Sequence, residues 1–114
     1  MASKLWLDQY TLAGGQMIAP ALVLVEVAAA ISRGWGDANT AQQFANYLDN
    51  LASLTIVPLD PQLITDATSV AVQHSLRAGD AFYVAVAQNL GIPVVTFDED
   101  IGKKASGAVS VIKP

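Results

Sequence analysis

The acidic residues of this chain are candidates for a specific role, because so few of its residues carry charge. Only 14% of the 114 residues are charged, whereas 53% are hydrophobic. Glu26 lies within the apolar run VLVEVAAAI (residues 23–31), and Asp80, Asp98 and Asp100 follow in the second half. Since burying an unpaired carboxylate costs several kcal/mol, a buried Glu26 would need either a partner or a chemical task.

Carboxylates that converge at one place repel each other, and a bound cation relieves that repulsion. Mg²⁺ and Mn²⁺ prefer oxygen ligands, and they leave coordination positions for water and for a substrate phosphate. Such a site supports metal-assisted hydrolysis of a phosphodiester bond. The sequence therefore raises the hypothesis that three or four of the acids Glu26, Asp80, Asp98, Glu99 and Asp100 converge at one metal site.

Three of these acids also have a structural interpretation at helix ends. Asp98 would cap a short helix that follows it, and Asp80, next to Gly79, would cap the helix that starts there. Asp100 would favour the N-terminus of its helix through the macrodipole. Placement alone leaves the capping role and the metal-binding role open for each of them.

Glu26 has no capping role, because it falls in the middle of a predicted helix. If Glu26 has a purely structural role instead of binding a metal, that role would be a buried salt bridge to Arg33 or Arg77. The residues themselves leave this alternative and the metal site open.

Alternating helical and strand patterns predict the elements that position these acids. The predicted helices span residues 3–13, 20–33, 37–53, 60–75, 79–90 and 99–105, and the predicted strands span residues 17–19, 54–59, 93–97 and 108–112. Short apolar strands separated by helices are typical of an α/β fold, with a parallel sheet flanked by helices in three layers. Ligands of such sheets bind beyond the carboxyl ends of the strands, where we expect Glu26, Asp80 and Asp98.

Length and composition exclude several classes of protein. A chain of 114 residues predicts a single domain over residues 1–114. The net charge of −4 argues against binding nucleic acid by bulk electrostatics, although it leaves room for phosphate contacts through metal ions. The absence of cysteine excludes disulfides and thiolate sites. The sequence has neither a signal peptide nor a membrane span, so we expect a cytoplasmic protein.

Residues 76–101, LRAGDAFYVAVAQNLGIPVVTFDEDI, resemble the signature half of PIN-domain proteins, and in particular the VapC-like toxins. The family pattern is a helix that opens with D-A-x-Y-V-A-x-A, then L-G-x-P, an apolar strand and T-x-D. Residues 80–87, 90–93 and 96–98 match these parts in order. The segment IAPALVLVEVAAAISR (residues 18–33) is similar to the family's second acidic motif, in which Glu26 is the acid.

The resemblance implies a metal-dependent endoribonuclease that acts as the toxin of a toxin–antitoxin pair. Glu26, Asp80 and Asp98 would bind Mg²⁺ or Mn²⁺ directly or through water, and Asp100 would be a further acid. Thr96 matches a hydroxyl that supports the acidic cluster. The partners implied are RNA, a cognate antitoxin protein that inserts near the site, and a second copy of the chain, since such proteins commonly form homodimers.

Arg33 and Arg77 are the basic residues that we expect to approach RNA phosphates near the mouth of such a site. The alternative is that they are solvated surface residues, which is the usual role of dispersed basic side chains.

The start of the chain departs from the family pattern. Members open with a hydrophobic strand that ends in an aspartate, and that aspartate is the first metal ligand. Here MASKL is polar, and neither Asp8, inside a predicted helix, nor Asp37, at a helix start, is a convincing substitute. We therefore expect the first, central strand to be missing.

A missing central strand predicts impaired catalysis, because a site that lacks one acid holds its metal less tightly. It also predicts that another copy of the chain, or a rearranged terminal strand, covers the open sheet edges. Three functional hypotheses remain: an active ribonuclease, a catalytically inactive PIN-like module for binding or oligomerisation, and a fragment without activity of its own.

Overall fold

A computed structural model describes the backbone of residues 16–95 and 99–112 and the side chains of residues 16–94 and 101–112. The described residues form two compact units, the first ending at Val57 and the second beginning at Pro58. The predicted helix over residues 3–13 and the expected absence of a first strand concern residues outside the described ranges.

The first unit contains two parallel strands and the two helices that connect them. Its elements are β1 (Met17–Pro20), α1 (Leu22–Trp35), α2 (Ala38–Asp49) and β2 (Leu54–Val57). Met17 pairs with Leu54, and Pro20 pairs with Val57. Because parallel strands require a crossover connection, α1 and α2 carry the chain from the end of β1 back to the start of β2.

The core of this unit lies along one stripe of α1. Val23, Val27 and Ile31 are buried at intervals of four residues, which is the spacing of one helix face. Met17 and Ala19 of β1 are also buried. This stripe fixes the rotation of α1 about its axis, and therefore decides which of its residues face solvent.

The ends of α1 differ from those predicted, 20–33. Pro20 belongs to β1, because the strand pairing continues until the amide of Ala21 donates to the carbonyl oxygen of Val57 at 2.8 Å. At the other end, the helix tolerates Gly34 and stops at Gly36, whose φ of 66° is left-handed. The amide of Gly36 donates to the carbonyl oxygen of Ser32, which closes the last turn.

Helix α2 begins at a strong N-cap. The carboxylate of Asp37 accepts hydrogen bonds from the amide of Thr40 at 3.1 Å and from its hydroxyl at 2.8 Å. The helix ends at Asp49, before the predicted residue 53, where the side chain of Asn50 donates to the carbonyl oxygen of Asn46 at 2.8 Å. Strand β2 ends at Val57 rather than residue 59, because Pro58 has no amide hydrogen to offer.

The second unit contains three helices and a second pair of parallel strands. Its elements are α3 (Pro61–His74), α4 (Ala78–Leu90), β3 (Val94–Val95), α5 (Glu99–Ala105) and β4 (Val111–Ile112). Val94 pairs with Val111 and Val95 with Ile112. Strand β4 is shorter than predicted, since the amides of Ala108 and Val109 donate to the carbonyl oxygen of Ala105 in a turn.

Helices α3 and α4 pack on each other and are also joined by hydrogen bonds. Leu63, Ala67 and Val70 form the buried stripe of α3. The carboxylate of Asp66 accepts from Nδ2 of Asn89 at 2.9 Å, which connects α3 to α4, and from Nε2 of Gln62 at 2.9 Å. The pair of helices therefore has both an apolar and a polar connection.

These elements confirm the predicted α/β class with parallel strands, and helices make up most of the described residues. The described ranges hold two sheets of two strands each. None of the described helices combines the length and the apolar character needed to cross a membrane.

We predict that the charge of Asp37 stabilises the fold in a pH-dependent way. The hydrogen bonds from the side chain and amide of Thr40 hold the pKa of Asp37 below its ordinary 3.8. A lowered pKa contributes stability that is present above about pH 4 and is lost as the pH falls through the folded-state pKa. Asp37→Asn should therefore unfold at a lower temperature than the wild type at about pH 7, and the gap should close in strong acid. Thermal unfolding of both proteins across pH measures this, and a gap that persists unchanged in acid would contradict it.

Candidate active site

Glu26 lies at the margin of the buried stripe of α1. It is half-buried, with the buried Val23 and Val27 on one side and Val25, which is 65% exposed, on the other. This corrects the expectation of a buried carboxylate, and no polar or charged side chain of the described ranges is fully buried. A carboxylate at this margin can reach solvent, and therefore also a dissolved ion.

The start of α1 is fixed at the carboxyl ends of the strands. Helix α1 begins directly after β1, and the bond from Ala21 to Val57 ties its start to the end of β2. Glu26 follows Leu22 by four residues, about 6 Å along the helix axis. It thus belongs to the edge at which parallel sheets bind ligands.

Asp80 lies in the first turn of α4 but does not cap it. The N-cap residue is Arg77, and Asp80 is the third residue of the helix. The expected capping role of Asp80 is therefore wrong. A carboxylate in the first turn is nevertheless favourable there, because it faces the positive end of the helix dipole.

Arg77 and Asp80 form an ion pair across the start of α4. Nε of Arg77 donates to Oδ2 of Asp80 at 3.3 Å, and the two side chains are 81% and 25% exposed. The backbone carbonyl of Arg77 accepts from the amide of Ala81 at 2.9 Å, which fixes the position of the arginine on the helix. Sequence reasoning missed this pair, although opposite charges three residues apart in R-A-G-D were a signal for it.

Arg33, the other arginine expected near RNA, lies in the last turn of α1. Its side chain is exposed, and Nε donates to the carbonyl oxygen of Ala29 at 3.4 Å. The guanidinium is thus held against its own helix in this structure.

Thr96 and Asp98 belong to the connection between β3 and α5, residues 96–98, which is outside the described residues. Asp100 is in α5, but its side chain is likewise outside the described ones. The roles expected of these three residues remain predictions.

Asp80 is placed relative to β3 by a short turn. Residues 91–93 separate α4 from β3, Gly91 has a left-handed φ of 65°, and the amide of Ile92 donates to the carbonyl oxygen of Ala87 at 3.0 Å. Helix α4 and strand β3 contact each other on either side of this turn.

The carboxylates of each unit are oxygen donors of the kind that a hard divalent cation prefers. Glu26 offers such oxygens in the first unit and Asp80 in the second, and the chain has no cysteine that would favour a softer metal. In residues 16–94 and 101–112, no three acidic or histidine side chains gather around one centre.

Residues 1–107, which are nearly the whole chain, match the PIN domain family. The chain belongs to the PIN-domain family. PIN domains are generally divalent-metal-dependent nucleases, and they act on RNA or DNA. No curated protein matches the chain.

The ion pair between Arg77 and Asp80 should contribute little to the stability of the fold, because its arginine is 81% exposed. We predict a coupling energy of about 0.2–1 kcal/mol, because an exposed arginine gains little from a salt bridge in water. Urea unfolding of wild type, Arg77→Gln, Asp80→Asn and the double variant gives this coupling energy directly. A coupling of about 3 kcal/mol or more would instead identify a structural ion pair, of the kind found in buried sites.

Proposed function

We propose that this chain is a Mg²⁺- or Mn²⁺-dependent endoribonuclease of the VapC-like kind, the toxin component of a toxin–antitoxin pair. The PIN family match supports the nuclease class. The single observation that carries the proposal further is Asp80, a partly exposed carboxylate in the first turn of α4 that forms an ion pair with an exposed arginine. Asp80 also opens the block of residues that resembles the VapC-like signature.

The proposed ligands are Glu26, Asp80 and Asp98, with Asp100 as a further acid and the hydroxyl of Thr96 supporting the cluster. When bound, the ion supplies a water of lowered pKa and neutralises charge on the leaving oxygen. The protein residues hold the ion and orient it. The positive end of the helix dipole at the start of α4 makes a carboxylate favourable at this position.

We propose that RNA is engaged through the metal and a few cations rather than through a basic surface. The net charge of −4 gives little attraction for a phosphate backbone at long range. Arg33 and Arg77 are both exposed, and they are the proposed phosphate contacts. Affinity for RNA should then depend on the divalent ion.

We further propose that turnover is slow. Residues 1–15 contain a single acid, Asp8, which falls inside a predicted helix and not at the end of a predicted strand, as the aspartate of the family pattern does. A site with fewer carboxylates binds its metal less tightly and places the attacking water less well.

Calorimetric titration with Mn²⁺ tests the site before a substrate sequence is known. We expect saturable binding to the wild type, and affinity lower by about tenfold or more in Glu26→Gln, Asp80→Asn and Asp98→Asn. Asp49→Asn is the matched control, because Asp49 is an exposed acid outside the motifs. Cleavage of single-stranded RNA in the presence of the same ion then tests the reaction.

Two results would overturn the nuclease proposal. Folded wild-type protein that binds no Mn²⁺ would leave Asp80 and Asp98 as residues that only stabilise helix starts. Metal binding without any RNA cleavage would favour the inactive PIN-like module instead.

We also propose that the chain associates with a second copy, and that a cognate antitoxin binds it. The outer face of α3 supports association, because it carries Ile64 and Val72, and Val72 is 78% exposed. Between them lies the exposed Thr68, whose hydroxyl donates to the carbonyl oxygen of Ile64 at 2.7 Å and is thus bonded within the helix. The result is an uncharged, largely apolar stripe on a solvent-facing helix.

Sedimentation equilibrium of Val72→Lys tests this stripe. A lysine would place like charges opposite each other in a symmetric contact, so the variant should dissociate at concentrations where the wild type is a dimer. Gln73→Lys adds the same charge at the neighbouring exposed position and should leave the dimer intact. A wild type that is monomeric throughout would contradict the proposal.

A further inference from the structure

Helix α4 has an arginine where helices usually place a capping side chain. Ser, Thr, Asp and Asn are preferred at the N-cap because their oxygens accept from the free amides of the first turn. Arg77 cannot accept, and its side chain makes no capping bond. Departures from local sequence rules are typical of functional sites, where another requirement takes precedence.

The contact that the Arg77 side chain makes shows what this other requirement is. Nε of Arg77 points to Oδ2 of Asp80 at 3.3 Å, although the arginine is 81% exposed and has water available instead. The carboxylate that it contacts is only 25% exposed. The guanidinium therefore supplies positive charge to a partly desolvated carboxylate.

A divalent cation at Asp80 would need the same carboxylate. Both cations are attracted by the same negative charge, and a metal ion would use the oxygen lone pairs that the Nε–H group now approaches. The ion has the higher charge, and the ion pair across the cap is exposed on its arginine side and is therefore weak. The metal can thus displace the guanidinium.

We infer that Arg77 is a placeholder cation, which holds the carboxylate of Asp80 in the metal-free protein and releases it when a divalent ion binds. The inference rests on the proposed function, since it requires Asp80 to be a metal ligand. Arg77 is then a positioning residue. It keeps the carboxylate of Asp80 in place before the metal binds, and it lowers the metal affinity by the free energy of the ion pair between Arg77 and Asp80.

Calorimetry with Mn²⁺ on the full chain measures the competition. Arg77→Ser removes the competitor and also introduces a favoured N-cap residue, so the variant should fold at least as stably as the wild type. It should bind Mn²⁺ about two- to fivefold more tightly, which corresponds to the strength of an exposed ion pair. Gln43→Glu changes the net charge by the same one unit at an exposed position of α2 that lies outside the motifs, and should leave the affinity unchanged.

Nuclear magnetic resonance adds a measurement that a purely structural role would not affect. The Nε–Hε signal of Arg77, assigned by its absence in Arg77→Ser, reports directly on the bond to Asp80. During titration with diamagnetic Mg²⁺, we expect this signal to shift and to exchange faster with solvent. The midpoint should coincide with the midpoint of Mg²⁺ binding in calorimetry.

The outcomes separate this inference from the proposed function. Tighter binding in Arg77→Ser alone, together with a shifting Nε–Hε signal, supports the placeholder role. Metal binding to the wild type with equal affinity in Arg77→Ser, or with an unchanged signal, overturns the inference and leaves the metal site intact. An equal gain in Gln43→Glu also overturns it, because net charge would then explain the effect. Absence of metal binding in every protein overturns both.

Discussion

Parallel strands point in the same direction, so the chain that leaves the end of β1 has to return to the start of β2 before the two can pair. Residues 21–53 make this return as two helices, and the in-register pairing of Met17 with Leu54 fixes its endpoints. The helix that leaves β1 must then start at the carboxyl edge of the pair, where the bond between Ala21 and Val57 holds it. The position of Glu26 follows from this geometry.

The second unit obeys the same constraint with shorter elements. Strand β3 follows α4 after residues 91–93, and α5 carries the chain onward to β4, which lies parallel to β3. The connection from α4 to β3 turns at Gly91, which tolerates a left-handed φ. Asp80 is placed by the direction of α4, just as Glu26 is placed by the direction of α1.

Local signals in the sequence were sufficient where a cap marked a helix end. Helix α3 was predicted almost to the residue, because Asp60 accepts from the amide of Leu63 at 2.8 Å, Pro61 fits the first turn, and Ser75 ends the helix in a left-handed conformation. The predictions failed where tertiary contacts decide. Pro20 suits the first position of a helix, but the pairing with Val57 keeps it in β1.

The candidate site was predictable to a similar degree. A carboxylate within an apolar run identified Glu26, and a motif identified Asp80, but neither gives the degree of burial. Whether Glu26 is buried or half-buried depends on the rotation of α1 about its axis. The buried stripe of Val23, Val27 and Ile31 sets that rotation. The partner of Asp80 depends on where α4 begins, which decides that Arg77 lies at the cap.

The bonds of Asp66 have a consequence for the dependence on ionic strength. Its carboxylate is held by the neutral amides of Gln62 and Asn89, so the polar connection between α3 and α4 involves a single charge. Dissolved salt screens attraction between exposed opposite charges, such as Arg77 and Asp80, far more than it weakens a bond to a neutral donor. Rising salt concentration should therefore loosen the candidate ligand from its arginine while the helices that carry it stay joined.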